Sequence, residues 1–199
     1  MPQQDNDFER IWKIYCELGV IERHFNNVQS NYRALASTWL LAALAGIGFV
    51  ISKELTLLIP SELIIVAIGI AAGIGVYLLW VLDLLVYQRL LDAAYIEARN
   101  LETNHEWLPQ VRNNIRVFLG GKGLALIVWF YIAASELMVM IAGIGLFRFL
   151  ALRQVPLLYG IELFAYLSLM VLIPIHMRKQ TALTPTLESK LLEERKRHA

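Results

Sequence analysis

The sequence predicts an all-α, polytopic integral membrane protein with four transmembrane helices and an antiparallel cytoplasmic helical extension. Three observations predict it. Four apolar stretches each reach the roughly 20 residues that a spanning helix needs. Lys and Arg fall on alternate connections rather than all of them. Of the 199 residues, 57% are hydrophobic, with a mean hydropathy of +0.53, above the usage of soluble domains.

The spans cover residues 34–52, 63–87, 123–147 and 157–177. All but three of the 18 basic residues lie before the first span, between the second and third, or after the fourth. Lys53, Arg148 and Arg153 alone occupy the other two loops, 53–62 and 148–156. Because Lys and Arg are retained in cytoplasmic loops, both termini are expected in the cytoplasm. Trp39, Trp80 and Trp129 then fall in the inner third of their helices, where an interfacial aromatic belt belongs. The charged first 30 residues lack the apolar core of a signal peptide, so span one itself directs insertion. Cys16, the single cysteine, excludes an internal disulfide and any multi-cysteine metal site; no cofactor and no metal is expected.

In residues 1–33, apolar side chains recur at Ile11, Ile14, Leu18, Ile21, Phe25, Val28, Tyr32 and Leu35, in spacings of three and four. That is one seam of an amphipathic helix. No proline lies between Gln3 and Pro60, so this helix is expected to run on into span one. Span two leaves the bilayer through Tyr87 and continues with Leu91, Ala94, Ala98 and Leu101 on one stripe to about His105. The two extensions project together, their stripes covering each other or those of a second subunit. Within 88–122 the pattern then breaks at 104–107, and Pro109 suits the first turn of a short interfacial helix ended by Gly120 and Gly121. Its apolar face is Trp107, Leu108, Val111, Ile115, Phe118 and Leu119, with Arg112 and Arg116 pointing elsewhere, toward lipid headgroups. Two arginines and one tryptophan are thin support for nucleic acid, which is not expected as a partner. In the tail, 178–199, Thr184 and Pro185 read as the cap and first position of a final helix, either solvated or docking a cytosolic partner.

Inside the membrane the informative residues are Glu136, Glu162 and Asp83, the pore or coupling candidates. Glu136 lies near the centre of span three, where a charge costs about 2.5 to 3.5 kcal/mol on insertion scales. It is read either as a neutral acid bonded to Tyr166, Ser168 or Tyr77, or as a carboxylate on a water-filled path. Glu162 is expected to pair with Arg148 or Arg153, and Asp83 to reach headgroup water about 6 Å away at the inner end of span two. Gly69, Gly73 and Gly75 in span two, and Ala42 and Gly46 in span one, are expected at close helix contacts, together with Ala142, Gly143 and Gly145 in span three.

No phosphate-binding loop, nucleophile elbow, zinc-protease or dinucleotide motif is present, and no enzymatic activity is expected. Arg99-Asn100 followed by His105 resembles the signature of HEPN ribonucleases, a match that chance supplies about once in a chain of this composition. The junction Asn31-Tyr32-Arg33-Ala34-Leu35-Ala36-Ser37-Thr38-Trp39-Leu40-Leu41, flanked by a polar amphipathic helix and a cytosolic helix after span two, resembles the SLATT group. The resemblance covers about the first 105 residues. It implies a small bacterial inner-membrane effector of a defence or conflict system that disrupts membranes or forms a pore. Spans three and four are additions to that pattern, and no functional residue carries across. The expected protein is a homo-oligomeric channel-like effector, gated or assembled through its cytoplasmic helices. A proton- or cation-coupled small transporter and a non-conducting scaffold for a cytosolic partner are the alternatives.

Overall fold

The computed structural model describes residues 2–53, 59–119, 122–153 and 156–182, with side chains described over 7–53, 59–115, 124–153 and 158–181. Within those residues the chain is helical, without strands. Uninterrupted helix-compatible sequence gives α1, Pro2–Ser52. After Pro60, whose carbonyl accepts the Leu63 and Ile64 amides, α2 spans Ser61–Trp80. It continues without a break through a π-helical segment, Val81–Tyr87, into α3, Gln88–Asn104. A non-helical bend leads to α4, Val111–Leu119, then α5, Lys122–Arg153, and α6, Pro156–Ala182, which opens on a proline at its first position. Four helices are long and apolar enough to cross a membrane.

Two boundaries differ from the sequence expectation. Helix α5 runs on to Arg153, which leaves little of the 148–156 loop, and α4 begins at Val111 rather than Pro109. Gly120, Gly121 and the tail helix expected from Thr184 and Pro185 lie outside the described residues, as does the Arg116 side chain.

In the bundle, α1 packs on α2, α2 on α5 and α5 on α6, while α6 also touches the π-helical segment. The core gathers Ala36, Val76, Trp80, Leu84, Val128, Tyr131, Ala134 and Met177 at the end from which α1 and α3 extend as a stalk. There α3 lies against the first half of α1, antiparallel to it, and α4 folds back on α3. The α3 stripe is covered by α1.

The packed stripe of α1 is rotated from the one its apolar residues suggest. Tyr15, Glu22, Gln29, Ala36, Ala43 and Val50 recur every seven residues, interleaved with Leu18, Phe25, Arg33, Leu40 and Ile47, and all are buried or half-buried. Of the expected seam, Ile11, Leu18, Phe25, Val28 and Tyr32 are half-buried, whereas Ile14, Ile21 and Leu35 are exposed. Polar side chains with partners on α3 and α4 occupy the interior positions.

Glycines set the closest approaches. A Cβ at Gly69 would stand 3.1 Å from the Met138 carbonyl and 3.0 Å from the Ala142 Cβ, so α2 and α5 meet almost backbone to backbone. A Cβ at Gly75 would overlap the Trp39 indole, and one at Gly143 would meet the Tyr166 ring at 2.7 Å. Gly46 and Gly73 are looser, with nearest side-chain atoms at 3.7 Å. Ala42 is exposed and lies off the packed face.

Candidate functional site

Where the stalk meets the bundle, the π-helical segment builds a polar latch. The Asp83 carbonyl accepts the Gln88 amide five residues on, the wide-turn spacing, and also accepts Gln29 Nε2 at 3.2 Å. Gln29 Nε2 further donates to Gln88 Oε1 at 3.0 Å, and Gln88 Nε2 to Asp92 at 2.8 Å. Arg33 of α1 grips the Asp83 carboxylate in a fork, Nε to Oδ2 at 2.8 Å and Nη2 to Oδ1 at 3.1 Å. Tyr131 of α5 donates to Oδ2 at 3.1 Å. Asp83 has no exposed surface, so the expectation that it reaches headgroup water is corrected. A wide turn and a bidentate arginine make its burial tolerable, because each carboxylate oxygen has a charged donor. Three helices thus meet on one side chain.

A second ionic knot ties the stalk. Glu102 of α3, fully buried, accepts the Arg112 amide at 3.1 and 3.0 Å and the Asn113 amide at 3.0 Å, satisfying free N–H groups in the first turn of α4. Arg112 returns from α4 to Glu102 at 3.2 Å and to Glu22 of α1 at 2.9 and 3.0 Å. Its guanidinium lies 4.5 Å from the centre of the Tyr15 ring, and the Tyr15 hydroxyl donates to Glu102 at 3.2 Å and to the Pro109 carbonyl at 3.0 Å. Burial pulls the Arg112 pKa down, but the Glu22 hydrogen bonds and charge outweigh it and the net shift is upward. The Tyr15 phenol is pushed up, first by burial. Arg112 was expected to point away from the packing face; it is only 6% exposed, and Val111, Ile115 and Trp107 face outward instead. The buried carboxylate of Glu102 decides which way α4 turns.

Glu136 and Glu162 stand apart from these knots. Both Glu136 carboxylate oxygens are buried without a hydrogen-bond partner. Of the partners expected for it, Ser168 donates to the Phe164 carbonyl at 2.7 Å and Tyr77 lies 3.3 Å from His176 Nε2, while Tyr166 is near enough to interact electrostatically with Glu136. Glu162 makes no ion pair with Arg148 or Arg153 among the described residues, and its Oε2 is buried and unpartnered. Arg153 lies over the Phe149 ring, and Arg148 lines a separate cavity of about 450 Å³ with Lys53 and Glu62 at the far end of the bundle. Glu162 faces another cavity, of about 400 Å³, between α2, α5 and α6, together with Gly69, Gly73, Ser135 and Tyr166. Of the three acids, only Glu162 lines this cavity. Asp83 is neutralised, while Glu136 and Glu162 are not.

The tryptophans divide. Trp39 and Trp129 are about half exposed, the latter beneath the Arg178 guanidinium at 4.0 Å, but Trp80 is fully buried in the core and is no part of a surface belt. Arg99 donates to Asn113 at 3.2 Å, tying α3 to α4, and His105 caps the end of α3 beside Trp107. Among the described residues no group of three or more His, Cys, Asp and Glu gathers to hold a metal.

Sequence reasoning passed over Gln29, Arg33, Glu22 and Glu102 as functional positions. For Glu22 and Gln29 the available signal was their seven-residue register with Tyr15 and Ala36, and for Arg33 its place four residues after Gln29 on the same face, which only a search for polar as well as apolar periodicity would find; Glu102, on α3, shares no such register. No protein family, curated protein or solved structure matches this chain.

Proposed function

We infer that the protein is a small oligomeric membrane effector, channel-like in action, whose conductance is controlled through its stalk. The supporting observation is the Arg33–Asp83 latch, which sits on a π-helical turn where the stalk helices continue unbroken into two candidate spans. Wide turns of this kind are frequent at functional sites. Breaking the latch would release α1 from the turn that Tyr131 of α5 also holds. In this reading both termini face the cytoplasm of a bacterial inner membrane, following the distribution of Lys and Arg. The exposed apolar row of Ile14, Ile21 and Leu35 on α1 supplies a face for a second copy. The SLATT-like junction containing Arg33 agrees with an effector role, and the trigger would be a partner or signal acting on the stalk.

Full-length protein in liposomes holding a self-quenched dye tests this directly. Arg33→Ala and Asp83→Asn are expected to raise leakage several-fold over the unaltered protein, and Glu136→Gln to lower it. Liposomes that stay tight with every latch variant would reject a stalk-controlled conductance. Cation-coupled transport is the second reading, favoured by the unpartnered carboxylates of Glu136 and Glu162. Proton-dependent uptake without dye leakage would select it.

A further inference from the structure

The cavity between α2, α5 and α6 has features that neither packing nor conductance requires. Helices α2 and α6 both lean on α5, and the cavity of about 400 Å³ occupies the space between them. That is within the range of sites for drug-sized molecules. Its walls are apolar, and Ile70, Ile74 and Leu169 along them are about half exposed, so the opening faces sideways, where lipid would lie. A molecule entering by that route must itself be lipophilic.

Two polar groups facing this space lack partners. Ser135 is 3% exposed, and its hydroxyl bonds to nothing. Ser37, Thr38, Thr103, Ser168 and Thr181 each donate to the carbonyl four residues back, the usual resort of a helical hydroxyl. Ser135 does not. Glu162 lines the same cavity with Oε2 buried and unpartnered. Unmet polar groups in an apolar setting destabilise the protein, more so when charged, and an occupant bringing matching donors would recover that loss. The Tyr77 and Tyr166 side chains complete the lining with aromatic surface, suited to cations and to aryl groups.

We propose that this cavity binds a protonated lipophilic amine, with the ammonium on the Glu162 carboxylate, the Ser135 hydroxyl as a further acceptor and the apolar body between α2 and α6. A lipid tail would fill the volume but leave both oxygens unmet. The site is separate from the Asp83 latch and does not depend on conductance, so binding is measured on detergent-purified full-length protein without a membrane.

Isothermal titration with 4,4-diphenylbutylamine at pH 7, against the neutral 4,4-diphenylbutan-1-ol, tests it. The amine is expected to bind saturably at one per chain, at least tenfold tighter than the alcohol. Glu162→Gln should weaken amine binding about tenfold or more, and Ser135→Ala about threefold. Gly73→Leu should abolish binding by filling the cavity, since the nearest atom to a Cβ there is at 3.7 Å and the side chain has room. Glu136→Gln, outside the lining, should leave affinity within twofold. Melting curves of each variant show whether it is folded; if Gly73→Leu is not, Ser135→Ala and Glu162→Gln decide the matter. Equal binding of alcohol and amine, or affinity unaffected by Glu162→Gln, would mean a lipid-tail groove and overturn the proposal. So would loss of binding in Glu136→Gln alone.

Discussion

Asp83 and Glu102 are the two carboxylates on which the chain closes, and both are buried against arginines, Arg112 only ten positions from Glu102 but reaching on to Glu22 of α1. Arg33 and Asp83 are 50 positions apart, Arg112 and Glu22 are 90. Removing one partner of a buried pair leaves an uncompensated charge and typically costs about 3 to 5 kcal/mol. Arg112→Ala is therefore expected to lower unfolding free energy by about that amount in denaturant titrations of the solubilised protein. Glu102→Gln keeps the shape but loses the charge, and should cost less while exposing the bend before α4 to protease. Tyr15 adds a pH dependence. Its native pKa is raised above the ordinary 10.0, so the unfolded chain ionises first as pH rises. The stabilisation is fully present below pH 10 and is lost as pH climbs through the native value. Melting temperatures measured from pH 8 to 11 should fall at the alkaline end, with a shallower fall in Tyr15→Phe.

At the scale of elements, the spans were legible from hydropathy and their ends from prolines. Pro60 and Pro156 open α2 and α6, and the missing proline before Pro60 correctly implies one unbroken α1. The continuation of span two to the region of His105 was equally readable, because Leu91, Ala94, Ala98 and Leu101 keep a helical stripe against α1. The orientation of α1 and α4 about their own axes was not. Apolar periodicity assumes that the packed stripe is apolar, whereas Gln29 on α1 and Arg112 on α4 are buried, and Glu22 and Arg33 on α1 half-buried, by pairing. Each pair spans tens of residues, so neither partner announces the other locally. The wide turn at Val81–Tyr87 has no compositional mark at all; it keeps Trp80, Asp83 and Leu84 buried together. Packing of α2 on α5 rests on a glycine that was legible. Gly69→Leu must displace backbone at Met138 and is expected to cost about 1 to 3 kcal/mol or more. Gly73→Ala, with 3.7 Å to spare, should be nearly silent in the same melting assay.

For the whole molecule, the charge distribution and the helical path make separate demands that can be checked separately. Reporter fusions at residue 1 and residue 199 are both expected to be active only in the cytoplasm, and periplasmic activity of either would reverse the assigned topology. Self-association through α1 predicts that Ile14→Cys or Ile21→Cys, placed in a Cys16→Ser background, forms an oxidant-induced dimer in membranes. Tyr15→Cys, on the inward face, should not.

Helix α1 also has a mechanical consequence. At 1.5 Å per residue its 51 residues make a rod about 75 Å long, clasped by Asp83 nearer one end than the other. About three fifths of the rod lies on the stalk side of Arg33. On the proposed topology Arg33 would be the fulcrum of a lever whose longer arm stands outside the lipid, and a small force on Phe8 or Trp12 would arrive among the far residues as a larger force over a shorter distance.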